Sequence, residues 1–141
     1  RALPVGKAQM RREGRSGLAI IAVGAMVATC ERVAEQLDAT LVNLRFVKPL
    51  DEELIVRIAG THRALVTVEE NVVAGGAGSA VIECLASNGH ATPTLNLGIP
   101  DRFIEHGSRE DCLTLAGLDR PAVEAAITRW WHAGKRLAVG G

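Results

Sequence analysis

The sequence predicts an α/β protein of three layers, in which a mostly parallel sheet lies between two layers of helices. Short apolar segments alternate along the chain with segments whose apolar residues recur at helical spacing, a pattern typical of parallel strands joined by helices. Residues 18–23 (LAIIAV) are apolar throughout rather than at every second position, which indicates a strand buried on both faces. Helices should therefore cover both faces of the sheet, joined to it by right-handed crossovers.

Five segments are predicted to be strands. The first, residues 8–12, carries basic side chains that suit an edge strand, because charge there discourages pairing with another chain. Four apolar strands follow it at residues 18–23, 41–47, 64–69 and 94–98.

The helices between these strands are predicted from apolar stripes and capping residues. Residues 26–37 place their apolar side chains at helical spacing. Asp51 is placed to cap the next helix, with Glu52 and Glu53 in its first turn, where acidic side chains favour the helix dipole. The glycine-rich residues 75–79 begin a third helix.

The C-terminal part of the chain is predicted to contain two more helices. Residues 98–107 form an irregular segment, since the proline within it does not suit a regular element. Ser108 with Asp111 resembles a capping box, and Gly117 is placed to end the helix that follows. Asp119 caps the last helix.

Composition and charge exclude several classes of function. The chain has 141 residues, 48% of them hydrophobic, which suits a single compact domain. Its 16 basic side chains balance 16 acidic ones, and it has two Trp, two Phe and no Tyr. It therefore lacks the basic footprint and the stacking surface typical of nucleic-acid binding. The longest apolar run, residues 18–28, is too short to span a membrane.

Three cysteines, Cys30, Cys84 and Cys112, lie far apart and form no CxxC or metal-ligand spacing. All three fall in segments predicted to be helical, and none is flanked by a candidate base. They are therefore interpreted as small buried hydrophobic residues in a reducing compartment, in preference to a catalytic thiol.

The leading candidate site is a strand end followed by a helix start, composed of Glu69, Glu70, Asn71, Gly75, Gly76, Gly78 and Ser79. Free amides at such a helix start can hold an anion, which makes a stand-alone small-anion binding module one interpretation. The dinucleotide fingerprint fails, because Val81 occupies its third glycine position. Close packing of the helix on the sheet is favoured. The adjacent glutamates should point to opposite faces, each in a salt bridge or a dimer contact.

Further candidates lie towards the C-terminus. Residues 101–107 contain Asp101, Arg102 and His106, and the histidine is a candidate general base without an accompanying nucleophile motif. Trp130 and Trp131 are not expected to face one core together, so one of them should pack against another domain or subunit. The other histidines are predicted to lie at helix ends in structural roles: His62, His90 and His132.

Four motifs occur in a fixed order along the chain. They are residues 3–7 (LPVGK), residues 45–52 (RFVKPLDE), residues 66–79, which include VTVEEN and GGAGS, and residues 97–107 (LGIPDRFIEHG). In this order and spacing they resemble the C-terminal domain of the 1-deoxy-D-xylulose-5-phosphate synthases, a family of transketolase-like enzymes. The likeness extends from residue 3 to residue 131, and the FVKPLD segment distinguishes it from other transketolase-like domains.

For the fold, the resemblance implies a mixed sheet of five strands in the order 1-3-2-4-5, with an antiparallel first strand at the edge. The chain begins with Arg1 and lacks an initiating Met. Together with the resemblance, this predicts that residues 1–141 are a single domain from a longer chain.

For function, the resemblance implies a cytoplasmic bacterial homodimer that uses thiamine diphosphate and Mg²⁺. The family joins pyruvate, with loss of CO₂, to glyceraldehyde 3-phosphate, and so feeds isoprenoid, thiamine and pyridoxal phosphate synthesis. In this family the cofactor, the metal and the catalytic histidines belong to the two preceding domains, so no catalytic, cofactor-binding or metal-binding residue is assigned to this chain. The equivalent domain of a 2-oxo-acid dehydrogenase β subunit is an alternative.

The role that follows for this chain is docking against the preceding thiamine-binding domains and against a second copy of the chain. The candidate interface residues are Glu69, Glu70, Asn71, Gly75, Gly76, Gly78, Ser79, Asp101, Arg102, His106, Trp130 and Trp131. A domain that docks in this way should expose a contiguous apolar patch that includes one of the two tryptophans.

Overall fold

The computed structural model of the protein describes residues 5–72, 76–100, 112–114 and 119–140. Within these ranges the chain forms six strands and four helices. The strands are β1 (Gln9–Arg12), β2 (Leu18–Ala22), β3 (Thr40–Asn43), β4 (Ala64–Val72), β5 (Thr94–Pro100) and β6 (Cys112–Thr114). The helices are α1 (Met26–Gln36), α2 (Glu52–Thr61), α3 (Ala77–Ser87) and α4 (Arg120–Gly140).

The strands form one mixed sheet in the order β1-β3-β2-β4-β5-β6. β1 runs antiparallel to β3, whereas every other neighbouring pair in the described sheet is parallel. The predicted fold class, the antiparallel edge strand and the order of the first five strands are therefore confirmed.

β6 extends the sheet beyond the predicted strands. The capping pattern predicts a helix over residues 108–117, and this prediction is wrong for Cys112–Thr114, which pair with residues 96–98 of β5. The outer edge of β5 carries backbone groups that need partners, and a parallel ladder supplies them, so strand pairing overrides the local pattern. Ser108, Asp111 and Gly117 lie outside the described residues.

The residues of β2 are completely buried, as its continuous apolar sequence predicts. Leu18 and Ile20 pack in one hydrophobic core with α1 and α4, whereas Ala19 and Ile21 pack in a second core with α2 and α3. Burial of each large aliphatic side chain stabilises the fold by about 1.5–3 kcal/mol. The sheet therefore has a pair of helices on each face.

The predicted caps of two helices are confirmed. The Asp51 carboxylate accepts a hydrogen bond from the Leu54 amide (3.2 Å) at the start of α2. Asp119 accepts one from the Ala122 amide (2.9 Å) at the start of α4. Each bond satisfies an amide that has no partner within its own helix, an effect worth about 1 kcal/mol.

The tandem tryptophans both contact the core beneath α1 and α4, which corrects the expectation that they cannot share one core. Trp131 is 5% exposed, and Trp130 is half-buried against the same core. Neighbouring helical residues are about 100° apart, and a side chain as large as Trp reaches the core from the flank of its helix. The Arg63 guanidinium also lies 5.3 Å from the centre of the Trp131 ring.

His62 and His90 lie just beyond α2 and α3, as predicted, whereas His132 lies inside α4, so its predicted position at a helix end is wrong. The Nδ1 atom of His62 is 2.9 Å from the Ile58 carbonyl oxygen, which can only accept, so Nδ1 carries the proton. Nε2 then accepts from the Thr40 hydroxyl (2.8 Å). His62 therefore ties the end of α2 to β3 and has a structural role.

An ion pair joins α1 to α4. The Nε and Nη2 atoms of Arg32 donate to the two carboxylate oxygens of Glu124 at 2.9 and 2.8 Å. The hydrogen bonds from Arg32 hold the pKa of Glu124 below its ordinary value, with desolvation opposing them and the charges of Arg32 and Arg120 reinforcing them. The bidentate geometry fixes the lateral position of α4 on α1.

We expect Glu124→Gln to lower the free energy of unfolding at neutral pH, and this loss to disappear in acid. A glutamate whose pKa falls on folding stabilises the folded state above its unfolded-state pKa of about 4.3, and that contribution is lost as the pH falls through the lower folded-state pKa. Urea unfolding of the two proteins between about pH 7 and about pH 3 measures the difference. A difference that persists unchanged in acid would contradict a role for the charge.

Candidate functional site

The candidate site lies where β4 ends and α3 begins. The connection after β2 leads to β3, towards one edge of the sheet, and the connection after β4 leads to β5, towards the other edge. The carboxyl ends of the adjacent strands β2 and β4 therefore form a topological switch point. Open α/β sheets bind their ligands at this kind of position. The geometry of Glu69 and of the first residues of α3 therefore decides whether a ligand could bind here.

The start of α3 already holds an anion, and that anion is the Glu69 carboxylate. Its Oε1 atom accepts a hydrogen bond from the Ala77 amide (3.0 Å), and its Oε2 atom accepts one from the Gly78 amide (2.8 Å). Glu69 is 8% exposed, so the two bonds are shielded from water. A negative charge is favoured at this end of a helix, and the two amides have no partners within α3.

The alternation of β4 explains why Glu69 performs this role. Val66 and Val68 face the core with α1 and α4, which directs Thr67 and Glu69 to the opposite face, towards α3. Glu70 is exposed. The structure thus shows Glu69 buried and Glu70 exposed, while the register of β4 against β5 shifts between Val68 and Asn71. The salt bridge expected of Glu69 is not what the structure shows, because its oxygens accept backbone amides.

Gly78 allows α3 to approach the sheet closely. A Cβ atom at this position would lie 3.0 Å from Cγ and Oδ1 of Asn96 on β5, tighter than ordinary contact. Oδ1 of Asn96 also accepts a hydrogen bond from the Thr67 hydroxyl, which holds the amide group in place. The interpretation of the small residues as packing residues is therefore confirmed at Gly78.

Gly76 is the residue before α3 and has an extended backbone, and Ser79 is half-buried in its first turn. The backbone of Asn71 pairs with Ile99 in the sheet. Four other predicted candidates lie outside the described residues: Gly75, Asp101, Arg102 and His106. The structure thus brings Glu69 together with the start of α3, and it leaves Glu70 exposed.

The described residues of this site do not fit a phosphate or a divalent metal ion. A phosphate at the start of α3 would have to displace the Glu69 carboxylate from two amides and overcome its charge. The described part of the chain also contains no group of three or more His, Cys, Asp or Glu side chains arranged to hold a metal ion. Two of the amides on which the small-anion module depends, those of Ala77 and Gly78, are therefore already bound to Glu69.

The two cysteines whose side chains are described are buried free thiols. Burial, and secondarily the nearby charge of Glu124, raises the pKa of Cys30 to about 12. Burial also raises the pKa of Cys84, reinforced by Glu52, with the Asn88 side-chain amide opposing the shift. Neither environment favours a thiolate, which supports the interpretation of these two residues as packing residues.

No helix in the described ranges is both long enough and apolar enough to cross a membrane.

We expect Glu69→Ala to lower the free energy of unfolding by about 2–3 kcal/mol, because two buried amides lose a charged acceptor. Glu69→Gln should cost less, since one side-chain oxygen remains to accept a bond. Urea unfolding measures both changes. Glu70→Ala is the matched control, and this exposed neighbour should change the stability by no more than about 0.5 kcal/mol. Equal losses at the two positions would contradict the capping role of Glu69.

Comparison with known proteins places this geometry in a family. The sequence profile of the transketolase C-terminal domain matches residues 6–123. A 1-deoxy-D-xylulose-5-phosphate synthase from Thioalkalivibrio sulfidiphilus is 60% identical over 125 residues, which are 89% of this chain and 19% of that protein. The synthase of the same name from Nitrosococcus oceani is 57% identical over 122 residues, or 86% of this chain and 19% of that protein.

The chain spans about a fifth of the length of these curated relatives. Among solved structures, a split-gene transketolase in an inactive β4 tetramer superposes with a TM-score of 0.69 at 33% identity, covering 90% of this chain and 42% of that one. The resemblance noted from the four sequence motifs is confirmed by these matches. Fold and sequence agree that the chain belongs to the transketolase C-terminal domain family.

Proposed function

We propose that the chain is the C-terminal domain of a 1-deoxy-D-xylulose-5-phosphate synthase. Such an enzyme converts pyruvate and glyceraldehyde 3-phosphate to 1-deoxy-D-xylulose 5-phosphate and CO₂, a step towards isoprenoids and thiamine. The observation that carries this proposal is the 60% identity, over 89% of the chain, to a protein with this name. Identity at this level favours the synthase over the β subunit of a 2-oxo-acid dehydrogenase.

Within that enzyme, the domain acts by docking and dimerisation and takes no part in the chemistry. Thiamine diphosphate and Mg²⁺ belong to the preceding domains of a cytoplasmic homodimer in this proposal. The occupied start of α3 supports it, because Glu69 fills the position at which an α/β domain of this kind would offer amides to a phosphate group. When bound to the parent enzyme, thiamine diphosphate supplies the carbanion chemistry for joining the two substrates.

The docking surface is proposed to include the candidates on α3 and α4. Trp131 is buried within the domain, which leaves the half-buried Trp130 as the tryptophan available to a partner. On α3, the half-buried Ser79 lies in the first turn and Ile82 is 40% exposed. The other large hydrophobic side chain exposed in the described ranges is Val5.

We expect residues 1–141, purified by themselves, to show no synthase activity and no saturable binding of thiamine diphosphate in calorimetry. The full-length parent should show both, because its preceding domains supply the cofactor site. Saturable binding to residues 1–141 alone would overturn the non-catalytic role. A full-length parent that binds the cofactor but does not form 1-deoxy-D-xylulose 5-phosphate would overturn the assignment to the synthase.

For the docking role, we expect Ser79→Arg in the full-length parent to shift the dimer towards monomer in sedimentation experiments. The larger, charged side chain would disturb a contact made by the first turn of α3. Glu35→Arg is the matched control, since Glu35 is an exposed residue of α1, on the opposite face of the sheet from α3. Equal sedimentation of the two variants and the wild type would contradict a dimer contact at Ser79.

A further inference from the structure

Two of the sequence motifs contact each other in space. Residues 5–8 lie before β1, and residues 45–51, which we name the clasp loop, connect β3 to α2. The Lys7 carbonyl oxygen accepts a hydrogen bond from Nη1 of Arg45 (3.0 Å). The Ala8 amide, 43 residues before Asp51 in sequence, donates to Oδ2 of Asp51 (2.8 Å). Both polar groups of the Lys7–Ala8 peptide bond are therefore held by side chains of the clasp loop.

Asp51 joins this contact to the start of α2. It is 8% exposed, and its second oxygen, Oδ1, accepts the Leu54 amide that caps the helix. The cap already fixes the carboxylate, so the bond to Ala8 forms with little further loss of side-chain freedom. One buried carboxylate thus connects the segment before β1, the clasp loop and α2.

Gly6 brings the segment against the clasp loop. Its φ angle is +79°, which other residues rarely adopt, and a Cβ atom there would lie 2.9 Å from Cγ of Pro49. The Lys7 ammonium also lies 3.7 Å from a carboxylate oxygen of Glu53, an exposed pair that contributes little. The backbone conformation of Gly6 and the hydrogen bonds from Arg45 and to Asp51 therefore hold this segment in one position against the clasp loop.

We infer that the clasp loop makes residues 5–8 part of the rigid domain, so that this segment moves with the domain when the domain moves relative to the rest of a longer chain. The inference rests on the proposed function, because a chain about five times as long provides something for the domain to move against. If only the sheet held the chain, residues 5–8 would be free to move away from the domain, because they precede β1. The hydrogen bonds to the clasp loop instead fix the direction in which the chain enters β1.

Trypsin tests this inference directly, because the Lys7–Ala8 bond is itself a trypsin site. In the full-length protein we expect this bond to be cut far more slowly than in a synthetic peptide of residues 1–12, since a protease acts on the opened state. Asp51→Asn should speed cleavage by about tenfold or more. The Asn side-chain oxygen can still cap α2, while its amide group cannot accept from Ala8. Mass spectrometry of peptides that begin at Ala8 gives the rate.

Two further variants separate the clasp from general stability. Gly6→Ala should also speed cleavage at Lys7–Ala8, because its Cβ atom collides with Pro49. Asp119→Asn makes the same substitution at the cap of α4, away from residues 5–8, and should leave the rate unchanged. Cleavage of the wild type as fast as the peptide, or equal acceleration by Asp51→Asn and Asp119→Asn, would overturn the inference. Synthase activity, assayed separately, tests the proposed function without affecting this result.

Discussion

The residues of β2 are buried on both faces and hydrogen-bonded on both edges, to β3 on one side and β4 on the other. A strand without access to water needs helices over both faces and parallel neighbours that satisfy its backbone. Each parallel neighbour in turn needs a crossover: α1 leads from β2 to β3, and α2 leads from β3 to β4. The same requirement applies to the next parallel pair, so α3 leads from β4 to β5 and begins where β4 ends.

A sheet covered on both faces also constrains the polar side chains beneath its helices. Thr67 bonds to Asn96, Thr40 bonds to His62, and Glu69 bonds to the start of α3. Among the described residues, no buried side-chain nitrogen or oxygen atom lacks a hydrogen-bond partner. Groups that could otherwise serve a ligand are thus committed to holding the layers together.

The sequence was most informative where the signal is local. The apolar run at β2 and the caps at Asp51 and Asp119 predict elements that the structure contains, because burial and capping act within a few residues. The local sequence does not predict β6, because the pairing of β6 with β5 depends on contacts between separate segments of the chain. The capping pattern around it predicts a helix instead.

Part of the candidate site can be predicted from the sequence in the same way. Strand alternation predicts that Glu69 and Glu70 face opposite ways, but the partner of Glu69 depends on where packing places α3. A signal was nevertheless present: an acidic residue on the buried face of β4, followed eight residues later by the start of α3. Buried carboxylates need donors, and the free amides of a helix start are the nearest set.

Asp51 and Glu69 use the same chemistry for different connections. Each is a buried carboxylate that accepts two backbone amides, and each lies at the start of a helix. Glu69 binds two amides of one helix and seals the switch point, whereas Asp51 divides its oxygens between α2 and the segment before β1. Both oxygens of each carboxylate are thus already engaged by backbone amides of this domain. The same arrangement suits a domain whose proposed contribution is a fixed shape and a fixed connection to its neighbours, because both depend on backbone segments being held in place.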